Sequence, residues 1–297
     1  MGPKIYESFN RGDTWETLVS MDPDAYYRVS AMVFAHDTLY FSLFNRIDGV
    51  TGVYTEAPMS GTTFRMTPEG PEETTGEMTR AALGFSVSGE DLYAVSHIRG
   101  VYRFEEGWVD VSTELPDMGF NSMTVGPDGV LYLSGGCDVG LTGGLRLDNA
   151  SIVNNIYRSY DLGETWHPLL VGDPFNSGIE NLVIAEGRPD LMVAATGDGV
   201  FTTVDGGVNW NSESQGLELR NIACLSVTGD HVYAGTLGGG VYKGILDHEG
   251  HIDWDPTTGP YPEVYNIQLQ TDPTHPETLY VSAYPGGVYK TTDGGTT

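Results

Sequence analysis

The strongest constraint on how this chain can fold is an eight-residue phrase that returns along it: SFNRGDTW at 8–15, SYDLGETW at 159–166 and TVDGGVNW at 203–210. A fourth copy begins at 291 and reaches 297 without its tryptophan. Repetition on this scale means stacked supersecondary units, each burying its apolar face against its neighbours. Aligning on an aromatic-centred strand recovers more copies than the phrase does. Tyr6, Tyr54, Tyr102, Tyr157, Phe201, Tyr242 and Tyr289 follow one another at intervals of 48, 48, 55, 44, 41 and 47 residues.

Between these anchors each unit reads the same way. A first alternating apolar run occupies 29–34, 82–87, 121–125, 179–184, 222–227 and 265–269, and a second 38–41, 91–95, 130–133, 191–194, 231–234 and 278–281. The aromatic strand comes third. A fourth short strand opens at the phrase tryptophan or its substitute: Phe64, Trp108, Trp166, Trp210 and Trp254. All are strand-length runs rich in Val, Tyr and Thr, bounded by Gly, Asp and Pro, and none keeps a helical period. Four-stranded antiparallel units of this length imply an all-β fold, a β-propeller of six to seven blades with seven favoured. The first 18 residues supply only third and fourth strands, and the last 34 only the first three, so blades are expected to be incomplete at the termini. Residues 1–297 are expected to form a single propeller domain, and the interrupted phrase points to a fragment of a longer protein.

The phrase itself has a turn's chemistry. Asp161, Asp205, Asp293 and, in the first copy, Asn10 offer an acceptor to amides further along the chain. Gly12, Gly163, Gly207 and Gly295 supply a positive φ. Ser8, Thr14, Ser159, Thr165, Thr203, Asn209 and Thr291 bond neighbouring backbone groups, while Trp15, Trp166 and Trp210 return to the apolar layer. These residues resemble the Asp-box, or BNR, repeat of the form Ser/Thr-x-Asp-x-Gly-x-Thr/Asn-Trp. That repeat is found in sialidases, xyloglucan-cleaving glycosidases, sortilin-like receptors and the photosystem assembly propeller. The resemblance covers the chain at the level of the repeat and implies the propeller fold. It also implies that the phrases are structural, on outer hairpins opposite the usual ligand side. The second and third units depart from it, with GTTF at 61–64 and EEGW at 105–108, so their outer hairpins are expected to be looser or shorter.

Charge narrows the partners. Fourteen Lys+Arg against 41 Asp+Glu give a net charge of -27, spread along the whole chain. Such a field repels phosphate backbones and anionic lipid, which argues against nucleic acid and membrane insertion and for a protein or a glycan. The two cysteines, Cys137 and Cys224, are compatible with one disulfide or with two thiols. The seven histidines are dispersed, no zinc ladder is present, and no cofactor is expected. Aspartate-rich loops suit weak calcium binding at most.

If the first strand of each unit is innermost, the loops joining second to third strands share one face with those joining successive units. Irregular loops on a rigid scaffold carry binding. That face is expected to receive Arg46, His97, Arg99, Asp138, Arg146, Asp148 and Tyr284, with Asp138, Asp48 and Asp198 as weak catalytic carboxylates. Around Asp138 the SGGCDVG run at 134–140 faintly resembles the acid-bearing loop of xyloglucan-cleaving enzymes, but the matching loop LGGG at 237–240 lacks a partner acid. A sialidase would need three arginines on an anionic substrate, which the charge opposes. The expectation is therefore a noncatalytic extracellular or cell-surface propeller binding protein or glycan through its loop face. One alternative is a glycoside hydrolase acting on a neutral polysaccharide through paired carboxylates. A second is a structural component of a surface assembly.

Overall fold

The computed structural model describes residues 2–45, 61–74, 76–78, 80–96, 100–116, 120–135, 156–169, 175, 177–256, 265–272, 274–284 and 287–296. Its regular elements are antiparallel strands, and they fall into two compact units. The first comprises Met1–Met123, Asp138–Asn149 and Tyr160–Trp166; the second comprises Thr124–Cys137, Ala150–Ser159 and His167–Thr297.

In the first unit, β1 (Lys4–Glu7) and β2 (Glu16–Ser20) make a two-stranded sheet. Next come β3 (Tyr26–Ala35), β4 (Thr38–Asn45), β5 (Gly61–Thr67) and β6 (Gly70–Glu73) in sequential order, then β7 (Ala82–Ser88), β8 (Asp91–Ser96), β9 (Val101–Phe104) and β10 (Trp108–Asp110) in the same order. A further sheet orders β11 (Phe120–Val125), β12 (Leu131–Gly135), β13 (Ile156–Ser159) and β14 (His167–Pro168). The second unit continues with β15 (Ile179–Ile184), β16 (Met192–Thr196), β17 (Gly199–Thr203) and β18 (Asn211–Ser212), and with β19 (Ile222–Thr228), β20 (His231–Thr236), β21 (Gly240–Leu246) and β22 (Ile252–Pro256). Its last sheet has three described strands, β23 (Tyr265–Asp272), β24 (His275–Tyr284) and β25 (Gly287–Thr291). Six sheets thus have the meander expected of blades, beside a two-stranded partial one.

One expected strand is misplaced in the sequence reading. The partner of β4 is β5, with Phe41 opposite Phe64, so Phe64 belongs to the third strand of its sheet and does not open the fourth. Tyr54, taken as that third-strand anchor, lies outside the described residues. The physical reason is the tight hairpin at 67–70: Thr67 pairs with Gly70, whose φ of 121° closes the turn, and β6 follows at once. Phe64 stacks on Phe41 at 5.3 Å, doing for this sheet what Tyr102 and Tyr242 do for theirs. The next hairpin is also short, with Phe104 opposite Trp108.

The corrected register exposes a repeat that the phrase does not contain. On the second and third strands Tyr40 faces Arg65, Tyr93 faces Arg103, Tyr132 faces Arg158, Tyr233 faces Lys243 and Tyr280 faces Lys290; in the remaining sheet Val193 faces Thr202. Directly opposed side chains project from the same side of a sheet and stay in contact. Lys243 Nζ lies 5.8 Å from the centroid of the Tyr233 ring, within cation–π range. Five of the 14 cations therefore occupy a single repeated position.

Apolar side chains of adjacent sheets build the core. Ile5 and Val19 pack with Phe41, Leu43 and Phe64; Tyr40 packs with Ala82, Leu92, Tyr102 and Trp108. In the second unit, Phe175, Ile179 and Met192 form one cluster, Val193, Val232 and Trp254 belong to another, and Tyr233, Val241 and Val281 to a third. Indole N–H groups tie these layers. Trp108 Nε1 donates to Thr63 Oγ1 at 2.8 Å and Thr74 Oγ1 at 2.9 Å, Trp166 Nε1 to Val111 O at 2.8 Å, and Trp254 Nε1 to Glu213 O at 2.6 Å. In each case the acceptor set includes a residue just past an outer strand. Trp210 instead bonds its own turn at Gly207 O, 3.1 Å away, and Trp15 is 47% exposed, beside a sheet of only two strands. Replacing Trp254 by Ala is expected to cost about 3–5 kcal/mol in denaturant unfolding, and by Phe roughly 1–2 kcal/mol, because Phe restores most of the ring area and leaves Glu213 O unbonded.

Candidate functional site

The turns between second and third strands are built to hold still. Thr196 Oγ1 donates to Gly199 O at 2.9 Å and accepts from Asp198 N at 3.1 Å. Thr236 repeats the device, donating to Gly240 O at 2.9 Å and accepting from Gly239 N at 3.0 Å. Gly199 has φ 130°, and a Cβ there would collide with Ser214 Oγ, which is itself bonded to Val200 N at 3.0 Å. The segment leading into β19 closes over both turns. Leu237 N donates to Asn221 O at 3.0 Å, and Leu219 packs beside Gly239.

Of the expected face residues, Asp198 is the one whose side chain is described. It sits in the turn between β16 and β17, with Oδ2 inaccessible to solvent and without a hydrogen-bond partner. Tyr284 ends β24, and only its backbone is described. Arg46, Asp48, His97, Arg99, Asp138, Arg146 and Asp148 lie outside the described residues, as does Cys137. Cys224 is on β19 against the cluster of Tyr233 and Val281, and burial pushes its thiol up to about 12, as suits a packed apolar residue.

Sequence reasoning missed Glu180. Three first strands share a bulge near their start, between Ala82 and Gly84, between Ile179 and Asn181, and between Ile222 and Cys224. The extra residue is Leu83 in one, Ala223 in another and Glu180 in the third. Burial without a compensating charge pushes the Glu180 carboxyl up to about 7. The available signal was a single acid inside the apolar run at 179–184, which alternation alone reads as an outward-facing position.

The four phrases share one bonding scheme. Thr203 Oγ1 donates to Asp205 Oδ1 at 2.8 Å and accepts from Gly207 N at 3.0 Å, while Asp205 accepts from Asn209 N at 2.9 Å and Asn209 Nδ2 at 2.7 Å. Asp161 accepts from Thr165 N at 2.9 Å and Thr165 Oγ1 at 2.5 Å. Ser8 Oγ accepts from Gly12 N at 2.7 Å, and Asn10 Oδ1 from Thr14 N at 2.8 Å. Thr291 and Asp293 reproduce the hydroxyl-to-carboxylate bond at 2.6 Å, with Gly295 N donating to Thr291 Oγ1 at 3.0 Å. The acids are thus occupied by their own turns. Bonds from the Asn209 backbone and side chain, with those of Thr203 and Val208, hold the Asp205 carboxyl down at about 2.

Among the described residues no group of three or more His, Cys, Asp or Glu side chains is placed to hold a metal ion. Nor, among the described residues, is any helix long and apolar enough to cross a membrane.

No protein-family model matches the chain, and no curated protein matches it. Solved structures do. It is similar to a chain of the mitotic checkpoint complex at TM-score 0.68 and 11% identity, covering 98% of this chain and 84% of that one. It is similar to YCF48 bound to D1 peptide at TM-score 0.62 and 14% identity, covering 97% and 86%. The fold is a β-propeller. The GH74 xyloglucanase of Xanthomonas campestris is also similar, at TM-score 0.56 and 17% identity, though the propeller described here spans 46% of its length while 99% of this chain is covered.

Two pH responses follow from these carboxyls. Asp205 has a folded value below that of an unfolded aspartate, so its contribution is complete above about pH 4 and is lost as the pH falls through about 2. Asp205→Asn, which installs the side chain of the first copy, is expected to keep the turn and flatten the acid limb of stability measured by urea unfolding from pH 7 to pH 2. Glu180 has the opposite sign. Its folded value lies above that of an unfolded glutamate, so the fold loses stability as the pH rises from about 4 to about 7. Glu180→Gln is expected to stabilise the protein at pH 8 by on the order of 1–3 kcal/mol, with little effect at pH 4, in the same measurement.

Proposed function

We propose that this chain is a noncatalytic propeller that binds a protein or glycan partner through the face formed by the turns between second and third strands and the segments joining successive sheets. Those turns follow strands buried on both sides, and Thr196 and Thr236 brace them, so a partner would meet a preorganised surface and little ordering cost. The observation that carries the reading is Asp198. Glycoside hydrolysis requires two carboxyl groups facing a sugar, one of them protonated. Asp198 holds one carboxylate oxygen out of reach of solvent, in a turn pinned by Thr196, and is poorly placed for either role.

The likeness to YCF48 bound to D1 peptide supports peptide recognition as a use of this scaffold, and the net charge of -27 favours a basic or neutral partner over an anionic one. On this reading the phrases are Asp-box turns that stabilise outer hairpins, the whole chain works as one propeller domain, and the setting is extracellular or at the cell surface.

The test pairs two assays on the full chain. Immobilised protein is screened against neutral polysaccharides and peptide libraries, and reducing-end release is followed on the same polysaccharides. Binding without release is the expected result, with Asp138→Asn and Asp198→Asn leaving the release background unchanged. Release that disappears in Asp138→Asn would establish a hydrolase and overturn the noncatalytic reading.

A further inference from the structure

We propose that the outer turns carry a second interaction surface, formed in the first unit by Val109, Tyr160 and Leu162, which docks a basic amphipathic segment of a protein partner. It is independent of the turn face described above.

Exposed apolar residues are concentrated on the phrases. Of the 13 large hydrophobic side chains exposed among the described residues, six belong to the three complete copies: Phe9, Trp15, Tyr160, Leu162, Val204 and Val208. The turn does not need them, because its hydrogen bonds are made by the Ser/Thr and Asp/Asn positions and its left-handed backbone by glycine. Leu162 is the sharpest case. It holds φ 60°, as Arg11 holds φ 56° in the first copy, where the third and fourth copies have Gly206 and Gly294 at φ 70° and 67°. The position accepts arginine or glycine in the other copies, and a leucine there leaves an apolar side chain 42% exposed, so the turn gains nothing from it. A surface contact accounts for that exposure.

Geometry joins these residues into one patch. Val109 is 37% exposed on β10, directly opposite Arg103 and therefore on the same side of the sheet. Arg103 Nη1 reaches Leu162 O at 3.5 Å, and Tyr93 Oη donates to the same carbonyl at 3.1 Å. A Cβ on Gly163 would touch Val111 Cγ2 at 3.2 Å, which lays the turn over the Val109–Val111 edge. Tyr160, two residues before Leu162, is 62% exposed.

Acids surround the patch. Glu105, Glu106 and Glu164 are exposed in the two adjoining hairpins, and Asp91 lies near enough to act on Arg103. Arg103, a cation within the patch, is already bonded to Glu105 at 2.7 Å. An apolar centre with an anionic rim complements a segment bearing alternate apolar and basic side chains. Charge of this sign disfavours anionic lipid and nucleic acid at the same place.

The test is fluorescence anisotropy of the full chain with a labelled peptide of alternating Lys and Leu, against a Lys–Ser peptide of equal charge and a Glu–Leu peptide. The Lys–Leu peptide is expected to bind about tenfold tighter than the Lys–Ser peptide, and the Glu–Leu peptide not to bind. Leu162→Gly combined with Val109→Thr is expected to remove that tenfold preference, and Glu105→Gln with Glu106→Gln to weaken binding and its salt dependence. Glycine is the residue of the third and fourth copies and threonine keeps strand propensity, so thermal melting should show an intact fold; Tyr160→Ser provides an independent variant. Equal binding of the Lys–Leu and Lys–Ser peptides would reduce the interaction to net charge and overturn the proposal. An unchanged preference in the folded variants would overturn it as well.

Discussion

The hydrogen bond from a buried indole to the edge of a neighbouring strand is the contact on which the packing of this chain depends. A four-stranded sheet of short strands cannot bury both faces by itself, and rings supply the area while the N–H fixes the angle of approach. Trp108, Trp166 and Trp254 all reach residues that lie just beyond an outer strand, although only Trp166 belongs to a recurring phrase. Trp108 and Trp254 follow other hairpins. The tie recurs while the turn that delivers it changes, so the packing rests on the ring and its acceptor and not on one turn sequence.

Charge is distributed by the same logic. Many of the acids are consumed locally, as Asp161, Asp205 and Asp293 are in their turns, and five cations on third strands stand opposite tyrosines of second strands. In a chain with 14 Lys+Arg, fixing five of them in the fold leaves few to offset the acidic surface. Recognition by this protein therefore has to work with a negative field. Neutral and basic partners fit that condition, and the surface around Val109 and Leu162 joins it to exposed apolar area.

Much of the fold was legible from periodicity. Each first and second strand falls where alternation places it, and the bonding inside the phrases follows from the chemistry of Ser/Thr, Asp and Gly at their spacing. The sheet containing Phe64 was not, because an aromatic flanked by strand formers appears at both Tyr54 and Phe64, and only pairing with Phe41 selects between them. Glu180 escaped for a related reason. A bulge shifts the inside–outside alternation by one residue, so an acid that reads as solvent-facing becomes desolvated. Of the candidate face, Asp198 was legible as a loop acid, but the inaccessibility of its Oδ2 was not, because solvent access is a property of the folded chain.

By itself the sequence determined the unit of construction: strand-length alternation, turn phrases whose polar atoms satisfy one another, and a net charge that restricts partners. These are local properties, set within eight or fifty residues, and local chemistry suffices to specify them. Only the tertiary structure decided which strand is third, which carboxyl is partly desolvated and which indole finds which acceptor. Register, desolvation and sheet-to-sheet contact are properties of residue pairs distant in sequence, and no single segment encodes them.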